Sequence, residues 1–317
     1  MDGDSIITRI STLLNDHTLV AEGIIILLMG SLSFDEEQTK IILQEWLKIA
    51  KGDNPIIDIR GYSFIDPLYV AMLITLKKGV RDNLTIIVDG ESPAYSYIQY
   101  ILGWQGKSAS TVVPIRIVDR QLHVNRFVDE LLRSTNLSFN DWEDEDAFRY
   151  ILGELIDNAL EHGGSPAIAC AQVFKNLGEV EIVVSDYGYG FLHTVARNYK
   201  VSTYEEAIKK ALEKGVSGSL QNMYGSSIKH TGTGLYVISN IIKETEGKMF
   251  IISGDALVSL SGRQLTSYKM QEEWKGSVVA MRFGLDKFKD RVLNYGFRDW
   301  LKHKVFTEDE DTLEDIF

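Results

Sequence analysis

The chain of 317 residues has a single cysteine, Cys170, so no internal disulfide can form. Cys170 lies in an apolar stretch with no charged neighbour to lower its pKa, and it reads as a buried thiol in a reducing compartment. No CxxC or paired-histidine spacing marks a structural zinc site. Basic residues are few beside acidic ones, 33 against 45, for a formal charge of −12. That balance argues against broad attachment to nucleic acid or to an anionic membrane, since both need a basic face. The opening residues, MDGDSIITRISTLLND, lack the basic-then-apolar layout of a signal peptide. The longest apolar run near them, residues 24–29, is too short to cross a hydrocarbon layer of about 30 Å. A cytoplasmic protein is expected. Internal repeats and low-complexity blocks are also missing.

What is present is a globular composition, 44% hydrophobic and 25% charged, on a chain long enough for a pair of ordinary domains. Strand and helix patterns alternate in the first third. GIIILLMG reads as a strand, and residues 36–50 carry Ile41, Ile42, Trp46, Leu47 and Ile49 at helical spacing. PIIDIR is a short strand ended by Gly61, and Pro67 suits the first turn of a helix running to about Lys78. LTIIVDG and SPAYSYIQYIL repeat the strand–helix order, which predicts an α/β layer.

The order changes after Asp119. Residues 121–133 form an amphipathic helical pattern, and acidic residues 141–146 lead into a second helix, AFRYILGELIDNALEHG, ended by Gly163 and Gly164. The strands AIACAQVF and EVEIVVSD follow. Residues 191–231 are polar and spotted with glycine and serine, with one helix, YEEAIKKALEKG. GLYVISNIIKETEG is another helix; IISG, LVSLSG, TSYKM and SVVAMRF read as four antiparallel strands. The division expected is 1–119, 120–285, and a C-terminal helix with an acidic tail over 286–317.

Three separated segments carry chemistry. Glu154, Asn158 and His162 are four apart, so on an α-helix they share one face. A carboxylate there can accept a proton, and an amide oxygen one turn on can ligate a hard cation such as Mg2+. Asp186-Tyr-Gly188-Tyr-Gly190 follows an apolar strand directly, and its glycines permit a tight turn against a ligand, with Asp186 able to accept from an amino group. Thr231-Gly232-Thr233-Gly234-Leu235 opens a helix, where free N–H groups and the helix dipole favour phosphate. Taken singly, each has a plainer explanation: a polar surface stripe, an Asp-Gly turn, a helix start.

In this order, over residues 120–284, the segments resemble the N, G1 and G2 boxes of the GHKL superfamily, the ATP-binding fold of gyrase, MutL and histidine kinases. Gly276-Ser277 at the start of the last strand is similar to the family's final motif. The resemblance implies a Bergerat-type α/β sandwich that binds ATP and Mg2+. It implies Glu154 as general base, Asn158 as metal ligand, and His162 on the phosphate side. Asp186 and Ser277 would hold the adenine, with Gly188 and Gly190 making room for it. Gly232, Thr233, Gly234 and Leu235 would line the phosphates. Lys229 and His230 are read as a solvated loop pair.

His123 sits in a helix ahead of this region but is followed by Val-Asn-Arg, without the acidic residue and proline of a phosphoacceptor motif, and is read as a surface histidine. No transmembrane sensor or appended transducer domain is visible. Residues 55–78, PIIDIRGYSFIDPLYVAMLITLKK, resemble the strand–loop–helix of STAS domains, loosely extended over 20–119. Where anti-anti-sigma factors have a phosphorylatable serine after the aspartate, this chain has Pro67 after Asp66. A degenerate STAS-like docking or regulatory domain is therefore expected, joined to a GHKL domain of the anti-sigma-factor-kinase branch. The activity implied is an ATP-dependent protein serine kinase or partner-switching regulator; the alternative is an ATP-gated interaction module without kinase activity. Protein partners are expected through the STAS-like part, with homodimerisation left open, and neither nucleic acid nor membrane.

Overall fold

The computed structural model describes residues 30–79, 82–88, 90, 93–102, 111–119, 122–135, 142–216, 233–294 and 296–305. The GIIILLMG strand lies outside them except for its last residue, which opens β1 (Gly30–Leu32). Helix α1 (Glu36–Ala50) follows, capped by Asp35, whose side chain accepts the Gln38 N–H at 3.0 Å. β2 (Ile56–Asp58), β3 (Tyr62–Ile65), α2 (Pro67–Gly79), β4 (Thr85–Ile87) and α3 (Pro93–Ile101) complete the N-terminal layer. Its strands make a pair of two-stranded parallel sheets, β1 with β3 and β2 with β4. β3 has no counterpart in the sequence reading: a four-residue strand carries no clear period, and its pairing with β1 is non-local.

β5 (Val112–Val118), α4 (Leu122–Thr135) and α5 (Trp142–Asp157) come next, and α5 passes into a π-helical turn over Asn158–Gly163. Of the acidic residues expected to lead into this helix, those from Glu143 to Asp146 lie within it. β6 (Ala167–Phe174) and β7 (Glu179–Asp186) have the expected bounds. Two helices, α6 (Gly190–Val195) and α7 (Tyr204–Ala211), stand where one was expected. α8 (Gly234–Thr245) leads into β8 (Lys248–Ser261) and β9 (Gln264–Gly284).

The four short strands expected here are thus two long ones in a hairpin. Glycines sit at the bulges in this hairpin: register shifts flank Gly254 (φ 55°), and Gly276 has φ 82° inside β9. The chain ends in α9 (Leu285–Phe288), a π turn over Lys289–Leu293, and α10 (Phe297–Val305). This segment packs back on the sheet and helices. Phe288 lies 5.1 Å from Phe283 and 5.4 Å from Phe148 between ring centroids. The acidic tail is outside the described residues.

β5 to β9 form one antiparallel sheet in the order β5-β6-β7-β9-β8. β5, within 1–119, is its edge strand beside β6, with Pro114 inside an irregular stretch of register. Because side chains alternate across a strand, β7 sends Val180, Ile182, Val184 and Asp186 to one face, and Glu181, Val183 and Ser185 to the other. The first face packs under α4, α5 and α8. The second is covered by α1 and α2 of the N-terminal layer. Cys170 is buried on that second face, where burial pushes its thiol up and out of the reactive range.

A polar cluster pins this junction. Arg282 on β9 donates through Nη2 to Asp66 at 2.7 Å and binds Glu181, its cross-strand partner, through Nε at 3.1 Å and through Nη2. Glu181 also accepts the Leu68 N–H at 2.9 Å, and Asp66 accepts the Phe34 N–H at 2.5 Å. The guanidinium stacks 4.3 Å from the Phe174 ring centroid. Both carboxyls are buried, so one guanidinium faces two acids. Burial, with Asp66 beside it, pushes Glu181 up to about 8, and burial raises Asp66 also.

The folded protein therefore holds a proton here that the unfolded chain releases near pH 4.5. This contribution to stability is complete below that pH and is lost as pH rises through about 8. The expected unfolding free energy falls across that window, by up to about 1.4 kcal/mol per pH unit for one proton. Urea titrations at stepped pH check this. A slope as steep in Glu181→Met, which leaves Arg282 paired with Asp66, would refute it.

Candidate functional site

The cleft between the helical face of the sheet and α5, α6 and α8 gathers residues distant in sequence. Glu154, Asn158, Asp186, Gly190, Gly234, Leu235 and Ser277 line it together. It holds about 820 Å3 of empty space, its open mouth and the adjoining solvent included. Val184 and Val279 from the sheet, Leu155 and Ala159 from α5 and its π turn, and Val195 and Ala211 from α6 and α7 supply apolar walls.

One end is built around Asp186, the last residue of β7. Its cross-strand partner is Ser277, whose hydroxyl donates to Asp186 Oδ2 in a short contact. Oδ1 accepts the Gly188 N–H at 2.9 Å. Burial pushes the Asp186 carboxyl up, and these bonds pull the other way. Each oxygen retains acceptor capacity, so the group can still take a donor from a ligand.

The glycines of this turn are required by the protein's own packing. A Cβ on Gly188 would fall 1.5 Å from the Gly163 carbonyl oxygen, which accepts the Tyr189 N–H at 2.8 Å. Gly190, at φ 75°, leaves room for Ser253 Oγ and the Gly276 carbonyl. Ser253 in turn accepts the Phe191 N–H at 3.0 Å and donates to Gly276 at 2.8 Å, fixing the start of α6. Sequence reasoning missed Ser253 and gave Gly163 only as a helix end; both act at the site through contacts remote in sequence.

The helix is π-wound from Asn158 to Gly163, and Gly163 at its end lines the cleft beside Asp186. The side chain of His162 lies outside the described part of the structure.

The opposite end lies at the N-terminus of α8. A Cβ on Gly234 would sit 1.9 Å from Glu154 Oε2, so the glycine lets this carboxylate approach the first turn. Thr233 is buried at the cap position and its side chain makes no cap hydrogen bond, while its carbonyl accepts the Val237 N–H at 2.8 Å. Gly232, Lys229 and His230 lie outside the described residues, and so does the His123 side chain. Glu154 and Gly163 are nine residues apart along one helix, which separates the Asp186 and Gly234 ends by on the order of 12 Å.

The cleft thus presents a buried acceptor at one end, apolar walls, and a carboxylate, an amide and a helix N-terminus at the other. No protein-family model matches the chain, and no curated protein matches it significantly. Among the described residues no helix is long and apolar enough to cross a membrane.

Proposed function

We propose that this cleft binds Mg-ATP in the manner of a GHKL-type domain, and that the N-terminal layer is a degenerate STAS-like domain built onto its back. The observation that carries the reading is the convergence of residues chosen by motif. Glu154, Asn158, Asp186, Gly190, Gly234, Leu235 and Ser277 come from separate elements and meet on one cleft. The chemistry suits an adenine nucleotide. Asp186 takes the exocyclic amine, the apolar walls take the flat base, and α8 receives the phosphates at its N-terminus. A separation on the order of 12 Å between the ends, taken from helix rise, matches a nucleotide extended from base to phosphates.

Among the described residues there is no group of three or more His, Cys, Asp or Glu set to hold a metal. A Mg2+ needs none, since it takes one or two protein oxygens and completes its shell with water and phosphate. Asn158 offers a neutral oxygen for it, and the ion would neutralise phosphate charge. Glu154, at the same end, is the acceptor for a proton from water or a hydroxyl.

Phosphoryl transfer to a protein serine, with the chain acting as kinase or partner-switching regulator, is the activity proposed first. An ATP-gated interaction module is the second reading, and one observation favours it. Asp66 and Pro67, the would-be partner loop of the STAS-like layer, are buried against the sheet, so that layer is tied to the nucleotide domain. Protein partners are proposed on its other surfaces.

Asp186→Asn keeps the shape of the buried group while removing its charge. It is expected to weaken Mg-ATP binding about ten- to a hundredfold, the usual cost of a charged hydrogen bond. Asn158→Ala should weaken binding only when Mg2+ is present. Calorimetric titration of the three proteins checks this, and equal affinity in all three sinks the nucleotide reading. Labelled ATP then separates the activities: label on a partner serine marks the kinase, and unmodified partners with nucleotide-dependent assembly mark the module.

A further inference from the structure

α2 runs behind the sheet from one end of β7 to the other. It starts at the Asp66–Glu181–Arg282 cluster and ends against the turn that carries Asp186. Midway, Thr75 Oγ1 and Ser185 Oγ share a hydrogen bond of 2.7 Å, one residue from Asp186 on the opposite face of the strand. At the C-terminal end, a Cβ on Gly79 would fall 2.0 Å from the Tyr187 Cβ, so helix and turn are in direct contact there. Lys275, exposed on β9, donates to the Gly79 carbonyl at 3.0 Å and closes the end of α2. From the neighbouring strand Gly276 packs on the same turn: a Cβ there would lie 2.6 Å from the Tyr187 Cα. Ser165, just past the π turn, accepts the Tyr187 N–H at 3.1 Å.

The Asp186–Tyr187 step is therefore packed by α2 from behind and by β9 from the side. We propose that the C-terminal end of α2 positions this turn from behind the sheet, with Gly79 as the positioning residue, and so couples the N-terminal layer to the cleft. The coupling stands on backbone geometry; that it regulates nucleotide affinity rests on the reading above. Displacing α2 moves Tyr187, and the turn cannot yield toward β9 because Gly276 is already in contact. The bonds at risk are Gly188 N–H to Asp186 and Tyr189 N–H to the Gly163 carbonyl.

The test is a double-mutant cycle with Gly79→Ala and Tyr187→Gly, read first by hydrogen exchange in nucleotide-free protein. In the wild-type background Gly79→Ala is expected to speed exchange of the Gly188 and Tyr189 amides about tenfold, a coupling usual for residues in contact. In the Tyr187→Gly background the same substitution should add nothing, because the clashing Cβ is gone. Equal exchange in wild type and Gly79→Ala, or an equal increment in both backgrounds, overturns the proposal. If Gly79→Ala does not fold, Lys275→Met removes the exposed clamp alone and should speed the same amides about threefold; no change then overturns it. Mg-ATP affinity is the second readout, expected to fall about tenfold in Gly79→Ala and to recover in the cycle. Exchange that responds in a protein that never binds Mg-ATP refutes the nucleotide reading and leaves the positioning role supported.

Discussion

Replacing Arg282 with leucine is expected to lower the unfolding free energy by about 3–5 kcal/mol, the cost of leaving a buried charge without its partner. Asp66 and Glu181 are each about 1% exposed or less, and both turn to this one guanidinium. Without it, two carboxyls face each other at the seam between α2 and the sheet. They escape only by taking up protons, so the loss should grow as pH rises through about 8, where Glu181 gives up its proton even in the intact cluster. Arg282→Lys should recover only part of the stability. An ammonium lacks the fork that reaches both acids, and it loses the stacking on Phe174. Denaturant titration of both variants checks this: a shifted midpoint with unchanged slope means lost stability, and a midpoint within experimental error of wild type refutes the account.

The second large effect is expected at Gly188. A methyl group there meets backbone, with Gly163 O at 1.5 Å and Gly163 C at 2.3 Å. Backbone cannot swing aside as a side chain does, so the π turn and the Asp186 turn must separate. The bond from Tyr189 N–H to Gly163 O breaks with them. Gly188→Ala should therefore cost about 3 kcal/mol, the upper end for overpacking, and abolish the proposed nucleotide binding at accessible concentrations. Gly153→Ala is the control. It lies next to Glu154 in α5 with nothing within 4 Å of a new Cβ, and should be neutral or stabilising by about 0.5 kcal/mol. Loss of binding in the control as well would show that the cleft fails through general sensitivity of the helix rather than at the Gly163–Gly188 contact.

Much of this architecture was legible in the chain because the signals are local. Asp35 before an apolar period, and Pro67 and Pro93 at first helical positions, place α1, α2 and α3. AIACAQVF and EVEIVVSD place β6 and β7 with their observed bounds. One further signal was available and went unread. The consecutive apolar residues Ile182, Val183 and Val184 imply a strand covered on both faces, and Glu181 beside them then demands a buried partner. Arg282 in SVVAMRF is the only cation of that strand segment.

The rest depended on contacts that no window of sequence contains. Gly254 and Gly276 look like turn residues, and whether they turn or bulge is decided by the partner strand across the hairpin. The π winding of Asn158–Gly163 belongs to a helix end held by the Asp186 turn, and it places Gly163 on the cleft wall.

By itself, then, the sequence determined the α/β class, most helices and the two central strands. Seven of the residues it singled out by motif, Glu154, Asn158, Asp186, Gly190, Gly234, Leu235 and Ser277, line one cleft. The tertiary structure decided how the layers join: Asp66 of the N-terminal layer is buried on Arg282, and Gly79 is pressed against Tyr187. The physical reason is that a buried ion pair and a glycine contact have no periodicity. Each exists only when two distant segments meet, and its energy comes from desolvation and close packing that the unfolded chain never experiences.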